Sequence, residues 1–258
     1  MNLSAVFILA GCAAREHARR HLLHVVVLLS LGAIGFAVGM SLLGGEAHTK
    51  ILKDLATASL LFFGGVLAIV LSAVSVGPEI EARTILPVLA RPIRRGEYLV
   101  GRYLGTLATV GVALGIMAAA FAAALLTLEG LNGVGGAFAL VLVFVAAEVA
   151  VIAAVGTKLG VFFPPPLAAV LTFFVFFAGS VKLGYGVSLG AKLSGPAHLL
   201  FAVLTRPLPN LEAFDFRDAL VHGAAVPPAY FVQVAVYALL YAAATLSVGC
   251  WKFGSREL

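Results

Sequence analysis

The amino-acid sequence predicts an all-α integral membrane protein in which six helices cross the bilayer. Of its 258 residues, 62% are hydrophobic and only 11% are charged, and the mean hydropathy is +1.08. Because an ordinary soluble domain has about 25% charged residues, a chain with so little charge does not form a soluble core of this length. The apolar runs lack the alternation of apolar and polar residues that a β-barrel needs. A single transmembrane domain is expected over residues 1–258.

Six apolar runs are long enough to cross about 30 Å of hydrocarbon, which takes roughly 20 residues of helix. Five runs are free of charge, and the sixth, over 135–157, is interrupted only by Glu148. The charge-free runs are 21–45, 55–78, 103–128, 159–181 and 219–251. The last run exceeds one span, and Pro227-Pro228 is expected to mark the start of its helix.

Glycines and prolines predict how the spans pack and turn. Two groups of glycines at helical spacing fit close packing between helices. They are Gly32, Gly35 and Gly39, and Gly101 and Gly105. The run Pro164-Pro165-Pro166 is expected to force a short turn on the inner side, between the fourth and fifth spans.

Glu148 is the acidic residue well inside a predicted span. A carboxylate near mid-bilayer costs on the order of 2 to 3 kcal/mol on insertion scales, which the neighbouring apolar residues largely offset. The run over 135–157 therefore still predicts a span. We favour a buried packing residue, hydrogen-bonded at a helix interface, over a carrier of protons or cations, and both roles stay open.

Lysine and arginine residues predict the orientation. With the N-terminus inside, 11 of these 17 residues fall on the inner side and 6 on the outer side. Because cytoplasmic loops carry an excess of basic residues, both termini are expected in the cytoplasm, and the chain in the plasma, or inner, membrane. The net charge of +5 is distributed among loops between apolar spans, so nucleic-acid binding is not expected.

Residues 1–20 predict an interfacial elbow helix on the cytoplasmic side. Apolar residues recur at helical spacing from Leu3 to Ala10, and a charged cluster follows. The cluster consists of Arg15, Glu16, Arg19 and Arg20. The sequence Leu9-Ala10-Gly11-Cys12 has the form of a lipoprotein cleavage box, but no basic residue precedes it, so the interfacial helix is favoured.

The last outer loop, over 182–228, is predicted to contain a short amphipathic helix. Asn210 is suited to cap this helix, and Gly223 to end it. Between them Leu211, Phe214, Asp218 and Val221 follow helical spacing. The helix would lie on the outer leaflet, because exposing its phenylalanines to solvent is unfavourable. The alternative is a solvated connecting loop.

Motifs for catalysis and for metal binding are largely absent from the sequence. There is no Gly-x-x-x-x-Gly-Lys-Ser/Thr phosphate loop, no His-Glu-x-x-His and no Gly-x-Ser-x-Gly. His17, His21 and His24 share one helix face, but close to Arg19 and Arg20 they fit interfacial side chains better than metal ligands. No catalytic residue, metal or bound cofactor is assigned to this chain.

One dense polar segment, residues 78–98, separates the second and third spans. It holds seven charged residues in an otherwise apolar chain and is expected in the cytoplasm. Pro78 is suited to the first turn of a helix with Glu79 and Glu81 near its positive end, and Arg94-Arg95 leads back to the membrane. The mixture of acidic, basic and apolar residues fits a protein partner better than anionic lipid alone. A loop among lipid headgroups is the alternative.

Three runs in this region resemble the motifs of ABC-2 type transporter permeases. They are Glu79-Ile80-Glu81-Ala82-Arg83-Thr84-Ile85, Leu89-Ala90-Arg91-Pro92-Ile93-Arg94-Arg95 and Tyr98-Leu99-Val100-Gly101-Arg102-Tyr103-Leu104-Gly105. The elbow helix, the six spans, the stretch from Pro209 to Asp215 and the C-terminal residues from Trp251 are also similar to the family's pattern. Arg83 departs from it, because a glycine is frequent at that position.

The resemblance implies a permease subunit that is not an enzyme by itself and depends on a separate ABC-type ATPase chain, where ATP and Mg²⁺ bind. It also implies a second permease copy, so a homodimer surrounded by membrane lipids is expected. An extracytoplasmic accessory protein is compatible with the resemblance. The cytoplasmic coupling arm, residues 77–100, would receive the ATPase beside the elbow helix. The expected coupling surface consists of Glu79, Glu81, Arg83, Thr84, Arg91, Pro92, Arg94 and Arg95.

The function that the resemblance implies is ATP-driven transport, usually export. The apolar pathway offers no dense ring of charge, which favours an amphipathic or hydrophobic substrate over a bare ion. Two alternatives stay open: a proton-coupled secondary transporter that uses Glu148, and a membrane scaffold without transport.

Overall fold

A computed structural model of the chain describes residues 3–43, 48–82, 93–180, 208–217, 221 and 227–255. In that part all regular structure is helical, which confirms the predicted all-α class. The α-helices are α1 (Leu3–Ala18), α2 (His21–Leu43), α3 (His48–Glu81), α4 (Arg95–Glu129), α5 (Gly136–Phe162), α6 (Pro165–Ser180) and α7 (Pro228–Ser255). Two 3₁₀ turns, Gly130–Gly133 and Glu212–Phe214, accompany them.

The described residues contain five helices that are long and apolar enough to cross a membrane: α2, α3, α4, α5 and α7. The sixth, α6, is apolar but has only 16 residues up to Ser180, where the described part is interrupted. The multi-pass membrane class is therefore confirmed, whereas the six predicted spans correspond to five such helices and one shorter one. The last helix begins at Pro228, as the proline pair predicts.

Several helices extend beyond the predicted apolar runs, because charged residues occupy their ends. Lys50 and Lys53 belong to the first turns of α3, and Arg95 opens α4. The fifth span was predicted to begin at residue 159, and this is wrong: α5 continues through Lys158 to Phe162, and α6 starts only at Pro165. The proline run does make the turn, since proline suits the first position of a helix, where its missing N–H needs no partner.

Pro78 does not open a new helix, contrary to the sequence prediction. It lies in the last turn of α3, and its carbonyl accepts a hydrogen bond from the Ala82 N–H at 2.9 Å. Proline inside a helix removes one backbone hydrogen bond, which close packing can offset. A Cβ atom on the adjacent Gly77 would lie 3.0 Å from Pro165 Cγ, so α6 packs directly against this turn. Glu79 therefore lies at the C-terminal end of α3 and not at the positive end of an arm helix.

The core lies between α3 and α5, which are the most buried of the five long apolar helices. Gly156 of α5 faces Ser72 of α3 with no room for a side chain between them, which lets the two helix backbones approach closely. In contrast, α2 and α7 keep broad apolar faces exposed. The predicted packing glycines of α2 have no atom within 4 Å of a Cβ position; they are Gly32, Gly35 and Gly39.

The helix bundle has two ends, which we call the terminal end and the far end. The terminal end contains α1, the last turns of α3 and α7, and the first turns of α4. Arg95 of α4 donates a hydrogen bond to the Phe253 carbonyl of α7 there. The far end holds the first turns of α3 and α7, the last turn of α6 and residues 208–217.

The helix predicted from Asn210 is not formed over residues 210–216, whereas Arg217 and Val221 are helical. Glu212–Phe214 is a single 3₁₀ turn without a side-chain cap, and the Asn210 N–H donates to the Tyr237 hydroxyl at 2.8 Å. Leu211 and Phe214 are each 2% exposed, because they pack into the bundle instead of facing an outer leaflet. The continuation predicted through Asp218 to Gly223 lies outside the described residues, apart from Val221.

Candidate functional site

Helix α1 lies directly against α4, where two glycines remove side chains from the contact. A Cβ atom on Gly101 would lie 2.7 Å from Leu9 Cβ, and one on Gly105 would lie 2.5 Å from Ala13 Cβ. Both distances are far inside the usual separation of about 3.5 to 4.0 Å between carbon atoms in contact. The predicted packing role of this glycine pair is therefore confirmed, and it places α1 beside the first turns of α4.

Arg102 is the centre of a buried charge cluster at the terminal end. Its guanidinium forms ion pairs with Glu16 of α1 at 2.8 Å and with Glu79 of α3 at 2.9 Å. Its Nε–H also donates to the Ser75 carbonyl at 2.6 Å. Arg102 is only 5% exposed, so these partners replace water around the charge. We call Arg102, Glu16, Glu79 and Tyr98 the coupling cluster.

Tyr98 completes the coupling cluster from the first turn of α4. Its hydroxyl donates a hydrogen bond to the carboxylate of Glu79, and its ring lies 6.0 Å from that of Phe253 in α7. Arg95, one turn earlier, donates to the carbonyls of Phe253 and Gly254 at 3.0 and 3.1 Å. A cation at this position also suits the negative end of the α7 dipole. The first turns of α4 thereby connect α3, α7 and α1.

Glu16 connects the cluster to the start of α2. It pairs with Arg20 at 2.7 Å as well as with Arg102. Burial by itself would raise the pKa of Glu16, but the hydrogen bonds and charges of Arg20 and Arg102 outweigh burial and lower the pKa below its usual value. Glu16 is therefore ionised at neutral pH and can pair with Arg102.

His17 is fully buried, which contradicts its predicted interfacial position. Neither of its ring nitrogens has a hydrogen-bond partner among the described residues. Burial and, second, the charge of Arg102 lower the pKa of His17 to about 4, so the ring is neutral at pH 7. The reason for its position is the glycine contact with α4, which draws this face of α1 inward. His21 and His24 are exposed, and the described residues include no group of three or more candidate metal ligands.

The predicted coupling residues separate into three groups. Glu16, Glu79, Arg20 and Arg95 have partners in or beside the coupling cluster. Four others are exposed around it: Arg15, Arg19, Glu81 and Arg94, and the backbone N–H of Arg94 donates to the Glu97 carboxylate at 3.0 Å. The remaining four lie outside the described residues: Arg83, Thr84, Arg91 and Pro92.

Sequence reasoning missed Arg102, Tyr98 and His17 as site residues. The predicted span began only at residue 103, so Arg102 was left outside it, although it lies within α4. A signal was present, because Arg102 stands between the packing glycines Gly101 and Gly105, where an arginine must find carboxylate partners on a neighbouring helix. The sequence offered no comparable signal for His17.

Glu148 is buried as predicted, with 3% of its surface exposed in α5. It does not belong to the coupling cluster. The far end has charged groups of its own, since Arg217 pairs with Asp215 at 3.0 Å and lies 3.7 Å from Asp54 of α3. The structure therefore separates a polar site at the terminal end from a second one toward the far end.

These features define a multi-pass α-helical membrane protein whose first helix is joined to the ends of two spans by one buried arginine. A family model described as ABC-2 family transporter protein matches residues 29–258, and the chain belongs to this family. The match covers α3 to α7 and most of α2 and leaves α1 outside it. None of the curated proteins compared with the chain matches it.

Family membership confirms the predicted class. The chain is the membrane component of a transporter and not an enzyme by itself, and the family implies partnership with an ABC ATPase subunit.

Proposed function

We propose that the chain is the permease subunit of an ATP-driven exporter in the plasma, or inner, membrane, with its terminal end in the cytoplasm. ATP and Mg²⁺ would bind to a separate ATPase chain, and two copies of the permease would form a homodimer. The low charge of the spans supports an amphipathic or hydrophobic substrate. An extracytoplasmic accessory protein would contact the far end.

The coupling cluster is the observation that supports this proposal. Glu79 precedes residues 83–92 of the predicted coupling arm, and Tyr98 and Arg102 follow them. Both flanks of the arm are thereby joined through the Arg102 and Tyr98 contacts with Glu79. Because Arg102 also holds Glu16, a displacement of the arm would be transmitted to α3, α4 and α1 together. Buried, hydrogen-bonded ion pairs are suited to such transmission, since breaking one of them costs several kcal/mol.

The docking surface can be tested with the double variant Arg91→Glu, Arg94→Glu. The tagged chain is purified from its native membranes, and the ATP hydrolysis that co-purifies with it is measured in phospholipid vesicles. We expect the variant to reach the membrane in normal amount but to lose at least about nine-tenths of the co-purifying ATP hydrolysis, because reversed charges repel a complementary partner surface.

A matched control reverses the same number of charges at the opposite end. Lys50→Glu with Lys53→Glu changes the first turns of α3 at the far end and should leave co-purifying hydrolysis unchanged. Normal ATP hydrolysis in the Arg91, Arg94 variant would contradict a docking role for the arm. Loss of hydrolysis in both double variants would point to a general effect of charge and would contradict it as well.

A further inference from the structure

A cleft of about 230 Å³ lies at the far end, between residues 210–213 and the first turns of α7. We call it the far-end cleft; it is lined by Asn210, Ala213, Tyr230, Gln233, Val234 and Tyr237. Since a water molecule takes up about 30 Å³ in the liquid, the cleft has room for roughly seven waters. It is smaller than the roughly 300 to 1,000 Å³ of sites for drug-sized molecules, so it fits one compact chemical group.

Two tyrosines in the wall of the cleft are held by their neighbours. The Tyr230 hydroxyl donates to the Ala213 carbonyl at 3.3 Å. The Tyr237 hydroxyl accepts a hydrogen bond from the Asn210 N–H at 2.8 Å, and its ring centroid lies 6.1 Å from that of the buried Phe214. The rings are therefore in place before any ligand arrives, which lowers the entropic cost of binding one.

The side chain of Asn210 has a polar atom without a partner. Its Oδ1 is buried, and no described residue donates a hydrogen bond to it. A buried carbonyl oxygen without a donor is unfavourable, so folded proteins usually supply one from a neighbouring group, a water or a ligand. Because the terminal torsion of an asparagine side chain is broad, the amide can turn toward a donor in the cleft. A ligand can therefore use this oxygen without breaking a hydrogen bond that the oxygen makes within the described chain.

The polar groups of the far-end cleft are uncharged and include both donors and acceptors. The Tyr237 hydroxyl carries a proton that it can donate, and the exposed amide of Gln233 adds two N–H donors and a carbonyl acceptor. None of the described residues that line the cleft is charged. A phosphate, a carboxylate or an ammonium group would lose hydration there without meeting an opposite charge. Hydroxyl groups fit better, because each one both donates and accepts, and the apolar face of a sugar ring can pack on a tyrosine ring.

The position of the cleft along α7 favours a ligand whose polar head is attached to an apolar chain. Since α7 begins at Pro228 and a helix rises 1.5 Å per residue, Gln233 lies about 7 to 8 Å and Tyr237 about 13 to 14 Å from its start. Because α7 is long and apolar enough to cross a membrane, the cleft would extend from the headgroups toward the hydrocarbon. The next turn of α7 exposes Leu239 and Leu240, which an apolar chain can cover.

We propose that the far-end cleft binds the uncharged, hydroxyl-bearing head of an amphiphile, such as a sugar or another polyol on an apolar chain. Asn210 and Gln233 would hydrogen-bond the hydroxyl groups, and the two tyrosine rings would pack against the head. The proposal names a substrate class for the transport function proposed above and rests on that function, whereas binding at the cleft can be measured without ATP.

Binding can be measured as protection of a cysteine in the wall of the cleft. Ala213→Cys, in a chain with Cys12→Ser and Cys250→Ser, is labelled with a maleimide in phosphatidylcholine vesicles. We expect decyl glucoside, below the concentration at which it forms micelles, to slow labelling about fivefold or more once its concentration is several times its Kd. At the same concentration three compounds should slow labelling less than about twofold, since each lacks part of what the cleft recognises. Decyl phosphate and decyltrimethylammonium have the same chain and a charged head, and methyl glucoside has the same head without the chain.

Absence of protection by decyl glucoside would overturn the site. Equal protection by either charged amphiphile would overturn the uncharged class, and equal protection by methyl glucoside would overturn the attachment to an apolar chain.

Substitutions in the cleft separate ligand binding from a structural role. Asn210→Leu keeps the backbone bond to Tyr237 and removes the oxygen that has no partner among the described residues, so the unfolding temperature should not fall. We expect it to raise the decyl glucoside concentration for half-protection about tenfold, because a ligand hydroxyl loses its acceptor. Gln233→Leu, at an exposed position, should raise this concentration as well and decides the matter if Asn210→Leu does not fold.

The matched control is Ser247→Ala, which removes a polar group of α7 outside the cleft, where the hydroxyl donates to the Ala243 carbonyl of the same helix. It should leave the concentration for half-protection unchanged. No change in Asn210→Leu and Gln233→Leu, or an equal rise in Ser247→Ala, would overturn the assignment of these side chains to the ligand.

The role of the cleft in transport is tested on the complex with its ATPase in phospholipid vesicles. Decyl glucoside should change the rate of co-purifying ATP hydrolysis about twofold or more, and Asn210→Leu should abolish this response at the same concentration. Protection of Ala213→Cys without any response of ATP hydrolysis would overturn the substrate class. If no ATP hydrolysis co-purifies with the chain, the proposed function fails instead, and the protection of Ala213→Cys still decides whether the cleft binds an uncharged amphiphile.

Discussion

At the scale of single residues, Arg102 shows how one side chain determines the contacts of three helices. It binds Glu16, Glu79 and the Ser75 carbonyl from a position that is 5% exposed. Removing one of the two carboxylates should destabilise these contacts, because the charge of Arg102 stays buried with less compensation. The sequence predicted Glu16 and Glu79 as members of two separate surfaces, and the structure brings both onto the same guanidinium.

His17 makes the docking of α1 sensitive to acid. Burial lowers its pKa to about 4 in the folded chain, whereas an unfolded chain titrates near 6.5. Below pH 6.5 the unfolded state binds a proton that the folded state binds only near pH 4. The free energy of unfolding therefore falls as the pH falls through this window. We expect the free energy of unfolding to decrease by about 2 kcal/mol between pH 7 and pH 5 from this residue.

The variant His17→Leu should remove this dependence without loss of stability at pH 7, since the ring nitrogens have no hydrogen-bond partner among the described residues. Unfolding of the purified protein in detergent at pH 7 and pH 5 measures the effect, with the exposed His21→Leu as control. The pKa of Glu16 is lowered, so its contribution to the free energy of unfolding is lost only at lower pH, where its carboxylate protonates. An equal decrease in the His17→Leu and unsubstituted chains would show that His17 is not the sensor.

At the scale of helices, composition predicts that a helix exists and how long its apolar part is. It predicts less well where the helix begins and ends. Charge-free runs located the long apolar helices, but they began too late wherever charged residues belong to the first turns of a helix, as Lys50 and Arg95 do. Pro78 was misplaced because local preference assigns proline to a first turn, whereas it lies inside the last turn of α3, where the adjacent Gly77 packs against Pro165. Asn210 is not a cap, since its side-chain oxygen has no hydrogen-bond partner among the described residues, and its backbone N–H donates to Tyr237, a partner that no local pattern reveals.

Helix α1 depends on the glycines of α4 for its position. In Gly105→Val the new Cβ would lie 2.5 Å from Ala13 Cβ and 2.7 Å from the Ala10 carbonyl oxygen, so a backbone would have to move. We expect a loss of about 1 to 3 kcal/mol in the free energy of unfolding, which is typical of overpacking. The same shift should separate Glu16 from Arg102, and limited proteolysis should then cleave α1 sooner.

The control for this variant lies on the same helix. Gly111→Val has no atom within 4 Å of its new Cβ and should leave both unfolding and proteolysis unchanged. Equal stability of Gly105→Val and Gly111→Val would mean that α1 does not rest on the glycine contact.

At the scale of the whole molecule, the sequence predicted the class, the family and the region of the site, but not which groups meet. Hydropathy and motif order are properties of one stretch of chain at a time, and they identified the membrane class and the ABC-2 family. The meeting of Arg102 with Glu16 joins residues 86 positions apart, and that of Phe216 with Phe144 joins two separate elements. Such pairs follow from the three-dimensional packing of helices, which a single sequence leaves open.

The open face of α2 leads to a prediction about the assembly. Three glycines at helical spacing, which usually let helices approach closely, have no neighbour within 4 Å of a Cβ position in the part of the chain that the structure describes. They are Gly32, Gly35 and Gly39. A second copy that packs on this face would supply the missing neighbour and build the proposed homodimer. Leucine at Gly35 should therefore fit the single chain and disrupt only the contact between copies.

We expect Gly35→Leu to weaken self-association in detergent by at least about tenfold, a loss of roughly 1.4 kcal/mol, while the helical content and the unfolding temperature of the monomer stay unchanged. Analytical ultracentrifugation over a range of protein concentrations measures the change. Gly115→Leu on α4 is the matched control. Its new side chain also has no atom of the described residues within 4 Å of the Cβ position, but it lies on another helix. If Gly35→Leu dimerises as well as Gly115→Leu, a homodimer would have to use another face, and the exposed apolar surface of α7, which includes Leu239 and Leu240, would be the next to substitute.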